Sequence, residues 1–143
     1  MLKKEEIIQQ IINEHLVKFD SIGEEVWNAK FSIAKWSKKE ILGHLCDSAF
    51  NNMRRFVVSQ YEENNTIIYR QNEWVALQDY QNADYKDIIE LWRLLNEQIV
   101  RIIEKMPTEK LQNTCITNEA HTLQFLIEDY ISHLNHHLLQ ILN

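Results

Sequence analysis

The stretch IIELWRLLNEQIVRIIEKM, residues 88–106, has the most regular hydrophobic pattern in the chain. Its apolar side chains recur every three or four residues, which is the repeat of one face of an α-helix. The repeating residues are Ile88, Leu91, Trp92, Leu95, Ile99, Ile102, Ile103 and Met106. Pro107 follows, and a proline inside a helix removes a backbone donor and clashes with the preceding turn. The stretch therefore predicts a long amphipathic helix that ends before Pro107.

Three further segments show the same repeat. They cover about residues 3–19, the stretch from Ser37 to roughly Tyr61, and about residues 121–141. Ser37 and Glu40 have the spacing of a capping box, in which the two side chains satisfy free backbone amides at a helix start. The chain has only two glycines and one proline, so we expect few tight turns or hairpins and an all-α fold. Four helices with one apolar face each should pack as a four-helix bundle.

Two long connections separate these helices. Residues 20–36 carry Trp27, Phe31 and Trp36, and we expect these aromatic rings to fold back over the core because their burial is favourable. Residues 62–82 are too many for a simple helical hairpin. We predict that this second connection is a crossover or a pocket lid, in part helical.

Length and charge narrow the class of protein. A chain of 143 residues has the usual size of one domain, so we expect a single domain over residues 1–143. The net charge is −6 and the basic residues are scattered, which argues against a nucleic-acid partner. No apolar run approaches the roughly 18 residues of a membrane span, so we expect no membrane partner and a cytoplasmic location. Cys46 and Cys115 should be reduced thiols.

Three histidines are candidate metal ligands. His133 and His137 are four residues apart, so both rings project from one face of the last helix. Helical angles turn both rings toward the bundle interior, whereas His136 points outward. His44 lies at the border of the apolar face of the second long helix. Imidazole ligands suit a divalent transition metal, with zinc or nickel preferred, and three ligands leave a position for water or substrate.

Other readings of these residues remain open. All three histidines could be buried, hydrogen-bonded core residues of a metal-free bundle. If a metal binds, Asp129 could hold the second nitrogen of His133, and Glu40 or Asp47 could hold that of His44. For each carboxylate, a solvated residue on a helix surface is the more common alternative.

Two phrases that contain the histidines resemble those of the DinB-like superfamily of metalloenzymes. They are WSKKEILGHLCDS at residues 36–48 and TLQFLIEDYISHLNHHLLQI at residues 122–141, and residues 74–80 add to the likeness. The resemblance implies an up-down-down-up four-helix bundle with a long crossover between helices two and three. It also implies a homodimer, and a metal ion held at the positions of His44, His133 and His137.

Functions of different classes fit this resemblance. The first is a metal-dependent enzyme that acts on a small-molecule substrate, either a hydrolase or an S-transferase of a low-molecular-weight thiol such as bacillithiol, mycothiol or glutathione. The alternative is a non-catalytic metal-binding or stress-related binding module, because the sequence shows no convincing general base or nucleophile beyond the metal. Catalytic residues, the substrate and the identity of the metal cannot be read from the sequence.

Overall fold

The computed structural model describes residues 1–143, and most of them are helical. The helices are α1 (Lys4–Phe19), α2 (Glu24–Asn28), α3 (Lys38–Tyr61), α4 (Gln71–Gln78), α5 (Tyr85–Lys105) and α6 (Leu123–Leu142). Short 3₁₀ turns cover Tyr80–Asn82 and Thr108–Gln112. Helices α1, α3, α5 and α6 correspond to the four segments with helical periodicity, so the prediction of a mainly helical chain is confirmed.

The four long helices bury their apolar faces together. Helix α3 packs against α5 and α6, and α1 packs against the same two helices. The largest fully buried side chains are Trp27, Trp92, Phe19, Phe56, Ile8, Ile12, Leu42, Leu45, Ile99, Leu123, Ile127 and Leu134. All but Trp27 come from these four helices, and Trp27 comes from α2.

The connection between α1 and α3 covers the core only in part. Trp27 packs edge-on against Phe19 and stacks on Tyr85, as expected. Phe31 is 85% exposed, so the expectation that its ring covers the core is wrong. Helix α2 ends one residue after Trp27, and the following residues form an isolated bridge between Ser32 and Lys35 on the surface.

The start of α3 is fixed by the predicted capping box. The Ser37 hydroxyl accepts a hydrogen bond from the Glu40 backbone amide, and the Glu40 carboxylate accepts one from the Ser37 amide, both at 3.1 Å. The Lys38 ammonium group donates to the carbonyl of Ile141 near the end of α6. The start of α3 therefore meets the end of α6, and His44 in α3 faces the last three turns of α6.

A three-stranded sheet departs from the expectation of an all-α fold with few hairpins. Strands β1 (Asn65–Thr66), β2 (Thr114–Ile116) and β3 (Ala120–Thr122) lie in that order, β1 parallel and β3 antiparallel to β2. The β2–β3 turn forms without glycine or proline, and the Thr117 amide donates to the Glu119 carbonyl at 3.1 Å. Cys115 in β2 and Cys46 in α3 are both buried free thiols, as expected.

The segment between α3 and α5 lies against α3. The guanidinium group of Arg55 donates to the Ile67 carbonyl at 2.9 Å and 3.1 Å. The Tyr80 ring packs directly on the backbone of Gly43, where a Cβ atom would lie only 2.2 Å from a ring carbon. These contacts place α4 and the 3₁₀ turn at Tyr80–Asn82 on the surface of α3.

None of the helices combines the length and apolarity needed to cross a membrane.

Candidate metal centre

His44, His133 and His137 converge where α3 faces α6. One candidate ligand atom from each residue lies within 4.8 Å of the other two. The closest pair is Nε2 of His44 and Nε2 of His133, at 3.1 Å. His44 therefore meets the sequence-distant pair His133 and His137 in one cluster, as the helical angles suggested. Their role as metal ligands remains a prediction.

The cluster keeps its rings uncharged at neutral pH. His44 is fully buried, and burial together with the nearby His133 and His137 lowers its pKa to about 3. Burial and the proximity of His137 lower the pKa of His133 to about 4, and burial also lowers the pKa of His137. Neutral imidazoles carry a free lone pair, which is the form that binds metal ions.

A hydrogen bond fixes the orientation of His137. Its Nδ1–H donates to the side-chain oxygen of Gln140, one turn further along α6, at 2.8 Å. This bond leaves Nε2 of His137 as the nitrogen with the free lone pair. The neighbouring His136 is exposed and lies outside the cluster, as predicted.

The expected carboxylate partners of His44 are engaged elsewhere. Nδ1 of His44 is buried and has no hydrogen-bond partner. Glu40 is committed to the capping box with Ser37 and to an ion pair with Lys30. Neither Glu40 nor Asp47 therefore holds this imidazole, a pairing that the sequence had left open. Instead, the Trp36 ring packs 5.0 Å from the His44 ring, between centroids.

Asp47 belongs to a polar cluster that the sequence did not reveal. Its Oδ1 accepts hydrogen bonds from the Tyr80 hydroxyl at 2.6 Å and from the Gln78 side-chain amide at 3.0 Å, while Oδ2 has no partner. Burial raises the pKa of Asp47, and these two hydrogen bonds oppose the rise. The hydrogen bonds of Asp47 with Gln78 and Tyr80 attach the segment between α3 and α5 to α3.

Asp129 forms no hydrogen bond with His133 and acts on it only through its charge, which opposes the lowering of the His133 pKa.

A cavity gives access to the histidines. It has a volume of about 660 Å³ and is lined by His137 together with Trp36, Asn72 and Gln140, among others. His133 and His137 are half-buried, whereas His44 lies behind them with no exposed surface. A ligand would therefore reach the cluster from the His137 side.

The three residues fit a divalent transition metal. Two nitrogens held about 2.0–2.1 Å from a tetrahedral ion are roughly 3.3 Å apart, close to the separation of the His44 and His133 nitrogens. A set of neutral imidazoles suits zinc, nickel, copper or iron(II), and no thiolate or carboxylate joins the cluster. The arrangement could hold one ion through three protein ligands and leave at least one position open.

Comparison with known proteins agrees with this architecture. The family model described as the DinB superfamily matches residues 9–141. A Bacillus subtilis (strain 168) protein named "Putative metal-dependent hydrolase YfiT" is 26% identical over 110 residues, which cover 74% of this chain and 62% of that protein. This chain thus matches about three fifths of the length of that relative.

The fold is also similar to a solved structure. This structure is that of YfiT from Bacillus subtilis, which is described as a probable metal-dependent hydrolase with an unusual four-helix bundle topology. The two chains superpose with a TM-score of 0.86 at 20% sequence identity. The superposition covers 96% of this chain and 81% of that chain. At this level of identity the likeness shows the fold, which is a YfiT-like four-helix bundle.

Proposed function

Because the chain belongs to the DinB superfamily, we propose that it is a metal-dependent hydrolase whose ion is held by His44, His133 and His137. The observation that carries this proposal is the meeting of three uncharged imidazoles from α3 and α6 beside an open cavity. The relative YfiT, named as a metal-dependent hydrolase, supports the same reading. Zinc or nickel is the preferred ion, because these metals accept an all-imidazole ligand set.

The side chains around the cluster have separate tasks in this proposal. When bound, a divalent ion supplies Lewis-acid polarisation and acidifies water at its open position. The Gln140 side chain orients His137 by accepting its Nδ1–H, and the Trp36 ring shields His44 from solvent. The cavity at His137 admits a small-molecule substrate. An open coordination position can also accept a thiolate. A low-molecular-weight thiol is therefore the alternative to water as the second reactant, and the two are compared in the activity assays below.

The proposal includes an up-down-down-up connectivity with a long crossover between the second and third long helices. Three contacts support these directions. Lys39 near the start of α3 donates to the carbonyl of Ala83 just before α5, at 2.8 Å. Lys38 at the start of α3 contacts the end of α6, so these two helices run in opposite directions. Lys4 at the start of α1 lies 3.9 Å from Glu128 near the start of α6.

We further infer that the whole chain forms one domain that works as a cytoplasmic homodimer. Exposed apolar side chains support the dimer: Leu91 is 42% exposed, Leu94 is 51% exposed, and Phe50 is 51% exposed. Leu91 and Phe50 line one cavity where α5 meets α3. Exposed apolar side chains that lie together, as Phe50 and Leu91 do at this cavity, are a feature of surfaces that bind a partner protein.

Elemental analysis of the purified protein tests the metal proposal. We expect about one transition-metal ion per chain in the natural protein, as for other single sites with three protein ligands. His44→Ala and His137→Ala should each lose at least roughly nine tenths of the metal, because two imidazoles hold an ion far more weakly than three. The exposed neighbour supplies the matched control, since His136→Ala should keep the metal. Full metal content in both cluster variants would contradict the proposal.

Activity assays of the metal-loaded protein separate the candidate reactions. Hydrolysis of activated esters without added thiol is the expected result for a hydrolase. Consumption of an electrophile only when a low-molecular-weight thiol is added would identify the S-transferase instead. Retained metal with neither activity would identify a non-catalytic binding module.

A further inference from the structure

A second cavity lies beside the cavity at His137. The two have volumes of about 660 Å³ and 430 Å³. Both are lined by Lys35, Trp36, Ile41, Gln140 and Asn143. Because the cavities share these five lining residues, they lie side by side, and together we call them the groove, which runs from His137 to the connection between α1 and α3.

The two ends of this groove differ in chemistry. The inner end has the imidazole of His137 and the side-chain amide of Asn72. The outer end is lined by Val26, Ala29 and Phe31. Val26 is 49% exposed and Phe31 is 85% exposed, so their apolar surface has little cover from the protein itself. An apolar portion of a ligand would remove this surface from water, and that burial is favourable.

A free cation lies where the two cavities join. The ammonium group of Lys35 makes no hydrogen bond and no ion pair, although Lys35 lines both cavities. The other nearby lysines are engaged, because Lys38 donates to the end of α6 and Lys30 pairs with Glu40. The one acidic side chain in the groove, Glu25, belongs to the outer cavity. The groove thus offers a positive charge near the histidines and an apolar recess beyond it.

We propose that this groove binds an amphipathic carboxylic acid derivative. Its oxygen-bearing head lies between His137 and Lys35, and its apolar chain lies against Val26, Ala29 and Phe31. The assignment deepens the proposed function, because it names the substrate class of the same site. The position of the head rests on that function, whereas the binding of the chain rests only on the groove.

Calorimetric titration with straight-chain carboxylates from butanoate to octanoate tests the proposal, because these acids are the products expected from hydrolysis of such a substrate. On metal-free protein we expect the affinity to rise about two- to fourfold for each added methylene, as partial to full burial of that group predicts. 1-Octanol should bind more weakly than octanoate, and Lys35→Gln should remove this difference. Octanoate that binds no more tightly than butanoate would overturn the proposal.

Matched valine variants place the binding in the groove. Val26→Asp introduces a charge into the apolar recess, so the rise in affinity with chain length should disappear. Val17→Asp makes the same change on α1, at a residue that is 72% exposed and outside the groove, and it should leave the rise intact. Equal behaviour of the two variants would contradict the assignment.

The same titrations distinguish failure of this inference from failure of the proposed function. Zinc-loaded protein should bind each carboxylate more tightly than metal-free protein by a factor that does not depend on chain length, and His137→Ala should abolish that factor. If the protein binds no metal but the dependence on chain length persists, only the proposed function fails. If metal binds and chain length has no effect, only the groove assignment fails.

Discussion

At the scale of single residues, the imidazole cluster makes the metal-free protein sensitive to acid. A proton on His44 would place a charge in a fully buried position beside two other rings, which is why its pKa is lowered from 6.5 to about 3. An unfolded chain has no such penalty and takes up the proton near the ordinary pKa. Between these two pKa values the unfolded state therefore binds more protons than the folded state.

Acidification should weaken the metal-free fold. The contribution of His44 to the free energy of unfolding is complete above its unfolded pKa of 6.5 and is lost as the pH falls. By pH 5 the loss from this residue should reach on the order of 2 kcal/mol. Urea denaturation in the presence of a chelator at pH 7, 6 and 5 measures this slope.

Substitutions isolate the contribution of His44 from that of other groups. His44→Asn should have a shallower dependence of stability on pH than the natural protein, whereas His136→Asn at the exposed neighbour should keep the original slope. The comparison matters because burial raises the pKa of Asp47, so Asp47 contributes to the pH dependence of stability with the sign opposite to that of His44. Identical slopes in the natural protein and His44→Asn would refute the explanation.

The sequence carried part of this information. Helical angles were enough to separate the inward His133 and His137 from the outward His136, because an α-helix has a fixed repeat. The contact of Asp47 with Tyr80 could not be found in this way, since it depends on the path of the chain between two residues 33 positions apart. Periodicity reports which face of a helix is buried, but not which polar group on another segment reaches it.

At the scale of secondary structure, α3 organises the site. It begins with the capping box, carries His44, and contacts Tyr80 of the segment between α3 and α5 at Gly43 and Asp47. The four long helices could be predicted because their apolar repeats persist over several turns. The strands β1, β2 and β3 have only two or three residues each, so they show no periodicity, and their pairing joins residues as distant as Asn65 and Cys115.

Because the Tyr80 ring packs closely on Gly43, a side chain at position 43 should disrupt the contact between Tyr80 and α3. Gly43→Ala would place a methyl group 2.2 Å from the ring, so the ring and its hydrogen bond to Asp47 must shift. Alanine favours a helix by about 1 kcal/mol over glycine, but overpacking costs about 1–3 kcal/mol or more at so short a distance. We expect net destabilisation in urea denaturation.

Gly23 provides the control for this substitution. A Cβ atom at Gly23 would meet nothing within 4 Å, and its backbone φ is −74°, which any residue adopts. Gly23 is the N-cap of the short helix α2, where alanine is less favourable than glycine, so Gly23→Ala should lower the free energy of unfolding by no more than about 1 kcal/mol. If the Gly43→Ala and Gly23→Ala proteins are equally stable, the Tyr80 ring can shift without lowering the free energy of unfolding.

At the scale of the whole molecule, the candidate ligands join two helices that are remote in sequence. His44 belongs to α3 and the other two histidines to α6, so an ion bound by all three would link these helices. The Lys38 contact with the end of α6 joins the same pair of helices. A metal that binds only the folded chain must stabilise the fold by mass action.

Metal addition should raise the thermal stability of the protein. With free zinc at about 100 times its dissociation constant, the gain is about 2.7 kcal/mol, which corresponds to an increase in Tm of roughly 5–10 °C for a chain of this size. Differential scanning calorimetry over a series of zinc concentrations measures the effect. His137→Ala should show little increase, whereas His136→Ala should match the natural protein. If the Tm of the natural protein does not change with zinc concentration, a zinc site specific to the folded state is excluded.

The separation of 89 positions between His44 and His133 also sets the order of events during biosynthesis. At about 5–20 residues per second, the ribosome adds the second of these rings roughly 4–18 s after the first. Until His133 and His137 are added, a nascent chain carries only one of the three candidate ligands, and a single ligand competes poorly for scarce ions. If the three rings hold an ion as proposed, binding by the complete set can begin only after His137 has been added.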